Sequence, residues 1–219
     1  MNNGYFICFD LDGTLIDSRD DIAAAINHML TELSLPNIPE KRIGEIVGHG
    51  IAATAIKALK EVGATDVDGE LAGRLTAEYY ENHPVVKTVT YPYVKEGLSI
   101  LKDRGFGIGL LTNKVQHITE LILEQLGIKQ YFDIIMGAGD KFPLKPNPEA
   151  LLHMLKESGV EKEKFFLVGD GSVDLETGKR AGIPTCIVSY GYRPPYALNP
   201  DFSADSFKEV SEMFLTMAC

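Results

Sequence analysis

Short apolar runs recur along the chain and have the length of buried strands. They are continuous rather than alternating with polar residues, which is typical of strands covered on both faces in a parallel sheet. Stretches with apolar residues at helical spacing separate the later runs. The predicted strands cover residues 5–9, 106–111, 133–136, 165–168 and 184–188, and the predicted helices cover 94–104, 115–126 and 148–158. This alternation predicts an α/β fold built on a doubly wound parallel sheet.

A long interval between the first two predicted strands interrupts this rhythm and has helical periodicity throughout. Ser18 followed by Asp21 is typical of a helix start, as an acidic form of the capping box. An apolar stripe follows, and two more stripes lie in 51–62 and 69–81. The pattern predicts an inserted α-helical cap domain over residues 16–88. The catalytic core is then expected to comprise 1–15 and 89–219.

Composition and charge narrow the class of protein. The 219 residues are 45% hydrophobic and 24% charged, which is ordinary for a globular chain with a real core. A net charge of −10 argues against nucleic acid or an anionic membrane as partner, but not against a small anionic substrate. No targeting segment or membrane span is evident, and Cys8, Cys186 and Cys219 form no CxxC pair. We therefore expect a cytoplasmic protein. Its oligomeric state stays open.

Polar side chains that can do chemistry lie just after several of the predicted strands. Because ligands bind at the carboxyl ends of the strands in open α/β sheets, we expect these side chains to lie together at one edge. Taken singly, each has an ordinary explanation as a turn, a helix cap, a surface lysine or a loop. Together they supply a nucleophile, an acid and base, hydroxyl and amide donors, a cation and two further carboxylates. They are Asp10, Asp12, Thr112, Asn113, Lys145, Asp170 and Asp174.

The four segments that carry these residues resemble the motifs of the haloacid dehalogenase (HAD) superfamily of phosphatases. Asp-Leu-Asp-Gly-Thr follows the first strand, Thr-Asn follows the second, a lysine stands in Lys-Pro-x-Pro, and Gly-Asp-x-x-x-Asp follows a later strand. The helical insert and the Val-Gly-His-Gly stretch at 47–50 are similar to the phosphoglycolate phosphatase branch. The resemblance implies an HAD-like, Rossmannoid core carrying an α-helical cap.

The resemblance also implies catalytic roles. Asp10 is expected to attack phosphorus and form an aspartyl-phosphate, and Asp12 to act first as acid and then as base. Thr112 and the Asn113 backbone are expected to donate hydrogen bonds to phosphoryl oxygens. Lys145 is expected to offset negative charge on both the phosphate and Asp10. The implied activity is hydrolysis of a small phosphorylated metabolite, with 2-phosphoglycolate as the first candidate.

The implied cofactor is Mg²⁺, which prefers a few carboxylates, water and phosphate oxygens. The resemblance assigns it to Asp10, Asp170 and the backbone carbonyl of Asp12, with Asp174 in or beside its coordination shell. The chain departs from the family pattern in one place. Gly171 stands directly after Asp170, where the family usually has serine or threonine, so one hydrogen bond that orients this loop is expected to be missing.

Substrate choice is expected to lie in the cap. Gly48 and Gly50 allow close approach of backbone N–H groups to a substrate carboxylate, and Arg42 is open between a substrate contact and a surface salt bridge. Within the superfamily, the alternatives are a phosphatase or mutase acting on a sugar phosphate, a nucleotide or pyrophosphate. The alternative from another class is a receiver-like module that accepts a phosphoryl group without turnover. The second carboxylate at Asp12 and the cap favour the enzyme.

Overall fold

The computed structural model of the chain describes residues 4–47, 50–139, 141–192 and 199–218. Within these residues the strands are β1 (Phe6–Phe9), β2 (Ile16–Asp17), β3 (Val89–Thr90), β4 (Gly107–Val115), β5 (Ile134–Ala138), β6 (Phe165–Gly169), β7 (Thr185–Val188) and β8 (Phe202–Ala204). The helices are α1 (Arg19–Glu32), α2 (Glu40–Gly44), α3 (Ile51–Glu61), α4 (Gly69–Asn82), α5 (Val94–Asp103), α6 (Gln116–Gln125), α7 (Glu149–Ser158), α8 (Ser172–Ala181) and α9 (Phe207–Met217). Short 3₁₀ turns occupy Lys129–Tyr131 and Lys162–Lys164.

Six strands form one parallel sheet in the order β5-β4-β1-β6-β7-β8, so the predicted α/β fold class is confirmed. The central strand β1 pairs with β4 on one side and with β6 on the other, and every residue of β1 and β6 is buried. This burial on both faces explains why these segments are continuously apolar. A separate two-stranded sheet pairs β2 with β3.

Successive side chains of β1 point to opposite faces of the sheet, and each face is covered by helices. On one face, Phe6 stacks on Phe165 with ring centroids 5.1 Å apart and packs in a cluster with Leu151 and Met154 of α7. On the other face, Phe9 lies 5.6 Å from Phe207 of α9, measured between ring centroids. The two layers of helices therefore hold β1 in place, and the polar residues that follow it are fixed at the carboxyl edge of the sheet.

Strand β4 is longer than the sequence predicts. The expected strand ends at residue 111, whereas β4 continues to Val115 and α6 begins at Gln116. The pairing with β5 shifts between Leu111 and Val115, which lie opposite Met136 and Ala138. Three residues of β4 are therefore accommodated opposite Gly137 alone, as in a β-bulge. The residues at 112–114 belong to this bulge and do not cap α6.

The described chain divides into two compact units, one of Met1–Asp17 with Thr90–Cys219 and the other of Ser18–Val89. Helices α1 to α4 lie in the second unit. Ser18 precedes α1, as expected, but its side chain makes no capping hydrogen bond, so the predicted capping box is wrong. The Asp21 carboxylate instead accepts hydrogen bonds from the backbone N–H groups of Val86, Lys87 and Thr88.

No helix among the described residues combines the length and the apolar character that crossing a membrane requires. Cys8 and Cys186 are both buried and carry free thiols.

Candidate active site

The candidate site lies at the carboxyl edge of the large sheet, where neighbouring parallel strands end together. Asp10 directly follows β1, and Asp170 directly follows β6, the strand paired with β1. Asp174 lies in the first turn of α8, one helical turn after Asp170. Lys145 comes from the segment between β5 and α7. The fold therefore brings together residues that are far apart in the chain.

Lys145 connects two of the carboxylates. Its Nζ lies 2.8 Å from Oδ1 of Asp10 and 2.6 Å from Oδ1 of Asp174. The Lys145 and Asp174 side chains are each 3% exposed, and the Asp10 side chain is 13% exposed. At these distances and this burial the hydrogen bonds are charge-assisted and strong. The ammonium group is held where it touches both carboxylates.

Oxygen atoms of Asp10, Asp170 and Asp174 all lie within 4.8 Å of one another. Three buried carboxylates beside one ammonium leave an excess of negative charge. Burial raises the pKa of Asp10 to about 7, with Lys145 opposing and Asp174 adding to the rise. Burial, together with Asp174 and Asp10, raises the pKa of Asp170 to about 8. Burial opposes the charge of Lys145, but the two carboxylates outweigh it and raise the pKa of the lysine. Buried oxygen ligands with uncompensated negative charge fit a hard divalent cation.

The turn after β1 approaches Asp170 closely. Gly13 has φ of 86°, in the left-handed region that favours glycine. A Cβ atom at this position would lie 2.2 Å from Oδ2 of Asp170, which no side chain could tolerate. The same oxygen accepts a hydrogen bond of 2.7 Å from the backbone N–H of Tyr192. Asp170 is therefore fixed on one side by the Asp-Gly turn and on the other by the segment after β7.

The Asn113 side chain fixes the backbone of Lys145. Its Nδ2 donates to the Lys145 carbonyl oxygen at 3.0 Å, and its Oδ1 accepts from the Lys145 N–H at 2.8 Å. The amide thus satisfies both backbone groups of the lysine, and these bonds bind the β4 bulge to the lysine segment. Thr112 is also buried, and its Oγ1 accepts a hydrogen bond of 3.2 Å from the Lys114 N–H. The sequence predicted phosphoryl contacts for Thr112 and Asn113, but not this amide contact.

Asp12 has a separate partner. Its Oδ1 lies 3.0 Å from Nζ of Lys114, and the two side chains are 17% and 8% exposed. The Asp12 carboxylate is not a member of the group of three close carboxylates found among the described residues. The metal role expected for Asp12 concerns its backbone carbonyl and stays a prediction. The lysine partner was not predicted, although Lys114 directly follows the Thr-Asn motif.

Comparison with known proteins identifies the family. The family model of haloacid dehalogenase-like hydrolases matches residues 7–188. The chain belongs to this family.

The chain is also similar to individual members of the HAD family. It is 39% identical over 198 residues to a phosphoglycolate phosphatase of Aquifex aeolicus, with 90% of each chain covered. It is 36% identical to a phosphoglycolate phosphatase of Vibrio parahaemolyticus over 97% of this chain and 96% of that one. The crystal structure of a predicted phosphoglycolate phosphatase from Haemophilus somnus superimposes with a TM-score of 0.89 at 27% identity, covering 98% and 99% of the two chains. The predicted family and the predicted phosphatase class are confirmed.

The cap residues singled out in this HAD phosphatase have different outcomes. Gly50 directly precedes α3 with φ of 87°, and its role in substrate binding stays a prediction. Gly48 lies outside the described residues. Arg42 is half exposed on α2, where it pairs with Glu45 and with Glu61 at 2.7 Å between Nε and Oε1, so the structure shows it in surface salt bridges.

Gly171 occupies the position that caps α8. Its backbone is extended, with φ of −147°, and it has no side chain that could bond to the first turn of the helix. Asp170 is nevertheless held by the Tyr192 N–H and by contact with the Gly13 turn. The position of this aspartate therefore does not depend on the serine or threonine usual in the family.

Proposed function

We propose that this HAD phosphatase hydrolyses 2-phosphoglycolate, a small carboxylated phosphomonoester, through an aspartyl-phosphate intermediate and with Mg²⁺ as cofactor. The observation that carries the proposal is the buried group of Asp10, Asp170, Asp174 and Lys145 at the carboxyl edge of the sheet. Burying three carboxylates is costly unless a bound cation joins them. The relatives named phosphoglycolate phosphatase support the choice of substrate.

Asp10 and Asp12 carry the proposed chemistry. A carboxylate oxygen of Asp10 forms a bond to phosphorus while the bond from phosphorus to the leaving oxygen breaks, and Asp12 gives its proton to that oxygen. In the second half of the reaction, Asp12 takes a proton from a water molecule whose oxygen attacks phosphorus. The bond between phosphorus and Asp10 then breaks, which regenerates the carboxylate and releases inorganic phosphate.

Lys145, Thr112 and Asn113 have the proposed task of binding the phosphoryl group. The ammonium of Lys145 already contacts Asp10 at 2.8 Å, so a phosphoryl group transferred to Asp10 would lie within its reach. The Thr112 hydroxyl and the Asn113 backbone N–H are the further donors. Phosphoryl transfer depends mainly on positioning and on stabilising charge, and these three residues serve both needs.

Mg²⁺ is the proposed occupant of the carboxylate group. Asp10 and Asp170 would hold it together with the backbone carbonyl of Asp12, and Asp174 would be in or beside its shell. The ion supplies positive charge that neutralises the carboxylates and the phosphate dianion. Its oxygen-only ligand set suits a hard cation of this kind.

A panel of phosphoesters tests the proposed function. With Mg²⁺ present, phosphate release should be catalytic, and kcat/KM for 2-phosphoglycolate should exceed that for a sugar phosphate, a nucleoside monophosphate or pyrophosphate by at least about tenfold. Higher kcat/KM for one of the other compounds would reassign the substrate. Interconversion of sugar phosphates without phosphate release would indicate a mutase. Stoichiometric phosphorylation without turnover would indicate a receiver-like module and contradict the proposal.

Two glycines of the cap allow a controlled test of substrate selection. Gly50 begins α3 with φ of 87°, and Gly63, just beyond the end of α3, has φ of 75°. We expect Gly50→Ala to raise KM for 2-phosphoglycolate roughly fivefold to tenfold, the effect of about one weakened hydrogen bond, and to change hydrolysis of 4-nitrophenyl phosphate little. Gly63→Ala strains the backbone in a similar way and should leave both KM values unchanged. Equal effects on both substrates would remove Gly50 from substrate selection.

A further inference from the structure

The proposed mechanism leaves one partly buried ion pair of the site unused. Lys114 is the second lysine at the carboxyl edge, and its Nζ contacts Oδ1 of Asp12 at 3.0 Å. The lysine side chain is only 8% exposed, so water weakens the pair much less than it would on the surface. Removing a lysine from water in this way has a cost that the contact with Asp12 offsets. We therefore expect the ion pair to act on the carboxyl group of Asp12, which Lys114 contacts.

The backbone of Lys114 is held from several directions. Its N–H donates to Oγ1 of Thr112 at 3.2 Å, and its carbonyl oxygen accepts from Oγ1 of Thr119 at 3.3 Å. Lys114 also belongs to the bulge opposite Gly137, where a Cβ on the glycine would lie 2.8 Å from the Lys114 carbonyl oxygen. The β4 bulge therefore sets the point from which the lysine side chain starts.

The backbone around Asp12 is equally well defined. The N–H groups of Leu15 and Ile16 donate to the Leu11 carbonyl oxygen at 2.9 and 3.1 Å, and the Gly13 N–H donates to the Ile16 carbonyl oxygen at 2.9 Å. This turn fixes the Cα of Asp12 but leaves its side-chain torsions to be decided by contacts. The ion pair with Lys114 is a contact that restricts them.

We propose that Lys114 is a positioning residue that orients the Asp12 carboxyl group for proton transfer to the leaving oxygen. This inference rests on the proposed function, because it concerns the acid step of that mechanism. As the O–H bond of Asp12 breaks, the proton goes to the leaving oxygen, whose bond to phosphorus breaks at the same time. The carboxylate that remains on Asp12 lies against the ammonium of Lys114. Misplacement of a catalytic group by about 1 Å can lower the rate by about 100-fold.

The dependence of rate on the leaving group separates this role from a structural one. A strongly basic leaving oxygen needs a proton in order to depart, whereas a weakly basic one departs without help. Phenyl phosphate and 4-nitrophenyl phosphate have nearly the same shape and charge, but phenol is the weaker acid and so the poorer leaving group. A defect in proton donation therefore affects phenyl phosphate more. A general loss of structure affects both esters equally.

The experiment compares kcat/KM for these two esters in the wild type, Lys114→Met, Lys114→Gln and Lys114→Arg, all with Mg²⁺. We expect Lys114→Met and Lys114→Gln to lower kcat/KM for phenyl phosphate by about 10- to 100-fold and for 4-nitrophenyl phosphate by less than about threefold. Lys114→Arg restores a cation and should recover most of the loss. Lys102→Met is the control, since it removes a lysine–aspartate pair of similar length, 2.7 Å to Asp133 just before β5. It should change neither value.

The outcomes distinguish the inference from the proposed function. If the wild type releases phosphate but the Lys114 variants lose equal activity on both esters, or none, the inference is wrong while the proposed function stands. If the wild type hydrolyses no phosphoester, the proposed function fails and the inference fails with it. Melting temperatures identify any variant that does not fold, and the two remaining substitutions then decide.

Discussion

At the scale of single residues, burial disfavours the charged forms of the ionisable side chains at the carboxyl edge of the sheet. Asp10 and Asp170 have raised pKa values because they are removed from water, and the single ammonium of Lys145 contacts Asp10 and Asp174 but does not balance the whole group. An aspartate that is uncharged near neutral pH is a poor nucleophile, so added positive charge favours the reactive form. The same interactions that make the site expensive to fold therefore prepare it for a cation and a phosphate.

The substitution Asp10→Asn tests this balance between function and stability. We expect kcat to fall by at least about 10³-fold, because an amide of nearly the same shape cannot form the aspartyl-phosphate. The melting temperature of the metal-free protein at about pH 8 should rise, because the variant no longer ionises a buried carboxyl whose pKa is about 7. Phosphate release and thermal unfolding measure the two effects. Turnover within about tenfold of wild type would contradict the assignment of Asp10 as nucleophile.

The sequence predicted which residues of the site lie together and that Lys145 faces Asp10, but it did not predict two other side-chain contacts. Asp10, Asp170 and Asp174 follow buried strands, and periodicity locates the ends of strands well. The contact of Lys114 with Asp12 joins residues far apart in the chain, and so does the contact of the Asn113 amide with the lysine segment. Such contacts depend on register and rotamer, which apolar patterns do not encode. For that reason the partner lysine was missed.

At the scale of elements, the sequence predicted the strands formed by long apolar segments well. Predictions that rested on local polar residues were less accurate. The strand predicted at 165–168 is β6, whereas β4 runs four residues past its predicted end because a bulge keeps polar residues within the sheet. The three-residue edge strand β8 was not predicted, since only Ala204 is buried there and no periodicity can form. The sequence assigned Asp21 to a capping box with Ser18, because Ser18 is a close neighbour along the chain. The hydrogen bonds of Asp21 instead come from residues 86–88.

The Asp21 contact predicts a stability effect within the cap. Asp21 is 3% exposed, and its carboxylate accepts hydrogen bonds from three backbone N–H groups and from Oγ1 of Thr88 at 2.6 Å. We expect Asp21→Asn to lower the free energy of unfolding by about 2–3 kcal/mol, because the amide places its own N–H₂ against these donors. Denaturant unfolding followed by circular dichroism measures the change.

The adjacent Asp20 provides the control for this prediction. It carries the same carboxylate on the same helix, but its side chain is 52% exposed and its Oδ2 lies 3.8 Å from Nζ of Lys87. An exposed pair of this kind contributes little, so Asp20→Asn should change the free energy of unfolding by less than about 0.5 kcal/mol. Similar losses for the two variants would mean that net charge, rather than the buried contact, determines the effect.

At the scale of the whole molecule, folding, protonation and metal binding are linked. The pKa values of Asp10 and Asp170 are about 7 and about 8, above the ordinary carboxyl value near 4. A group whose pKa rises on folding stabilises the native state fully below its unfolded pKa, and this contribution is lost as pH rises to the folded value. The metal-free protein should therefore lose stability between about pH 4 and about pH 8 through these two groups. At the proposed site, Mg²⁺ would require their ionised forms and would oppose that loss.

Mg²⁺ binding at the proposed site should depend on pH. Because Mg²⁺ would have to displace protons from Asp10 and Asp170, its affinity should rise by up to about tenfold per pH unit for each proton released. The increase in melting temperature caused by a fixed concentration of Mg²⁺ should therefore be larger at about pH 8.5 than at about pH 6. Thermal unfolding with Mg²⁺ and with EDTA at each pH measures it. In Asp170→Asn, whose amide has no proton to release, both the Mg²⁺ effect and its pH dependence should shrink. A Mg²⁺ effect that is equal at the two pH values, or larger at the lower one, would show that the ion does not bind at these carboxylates.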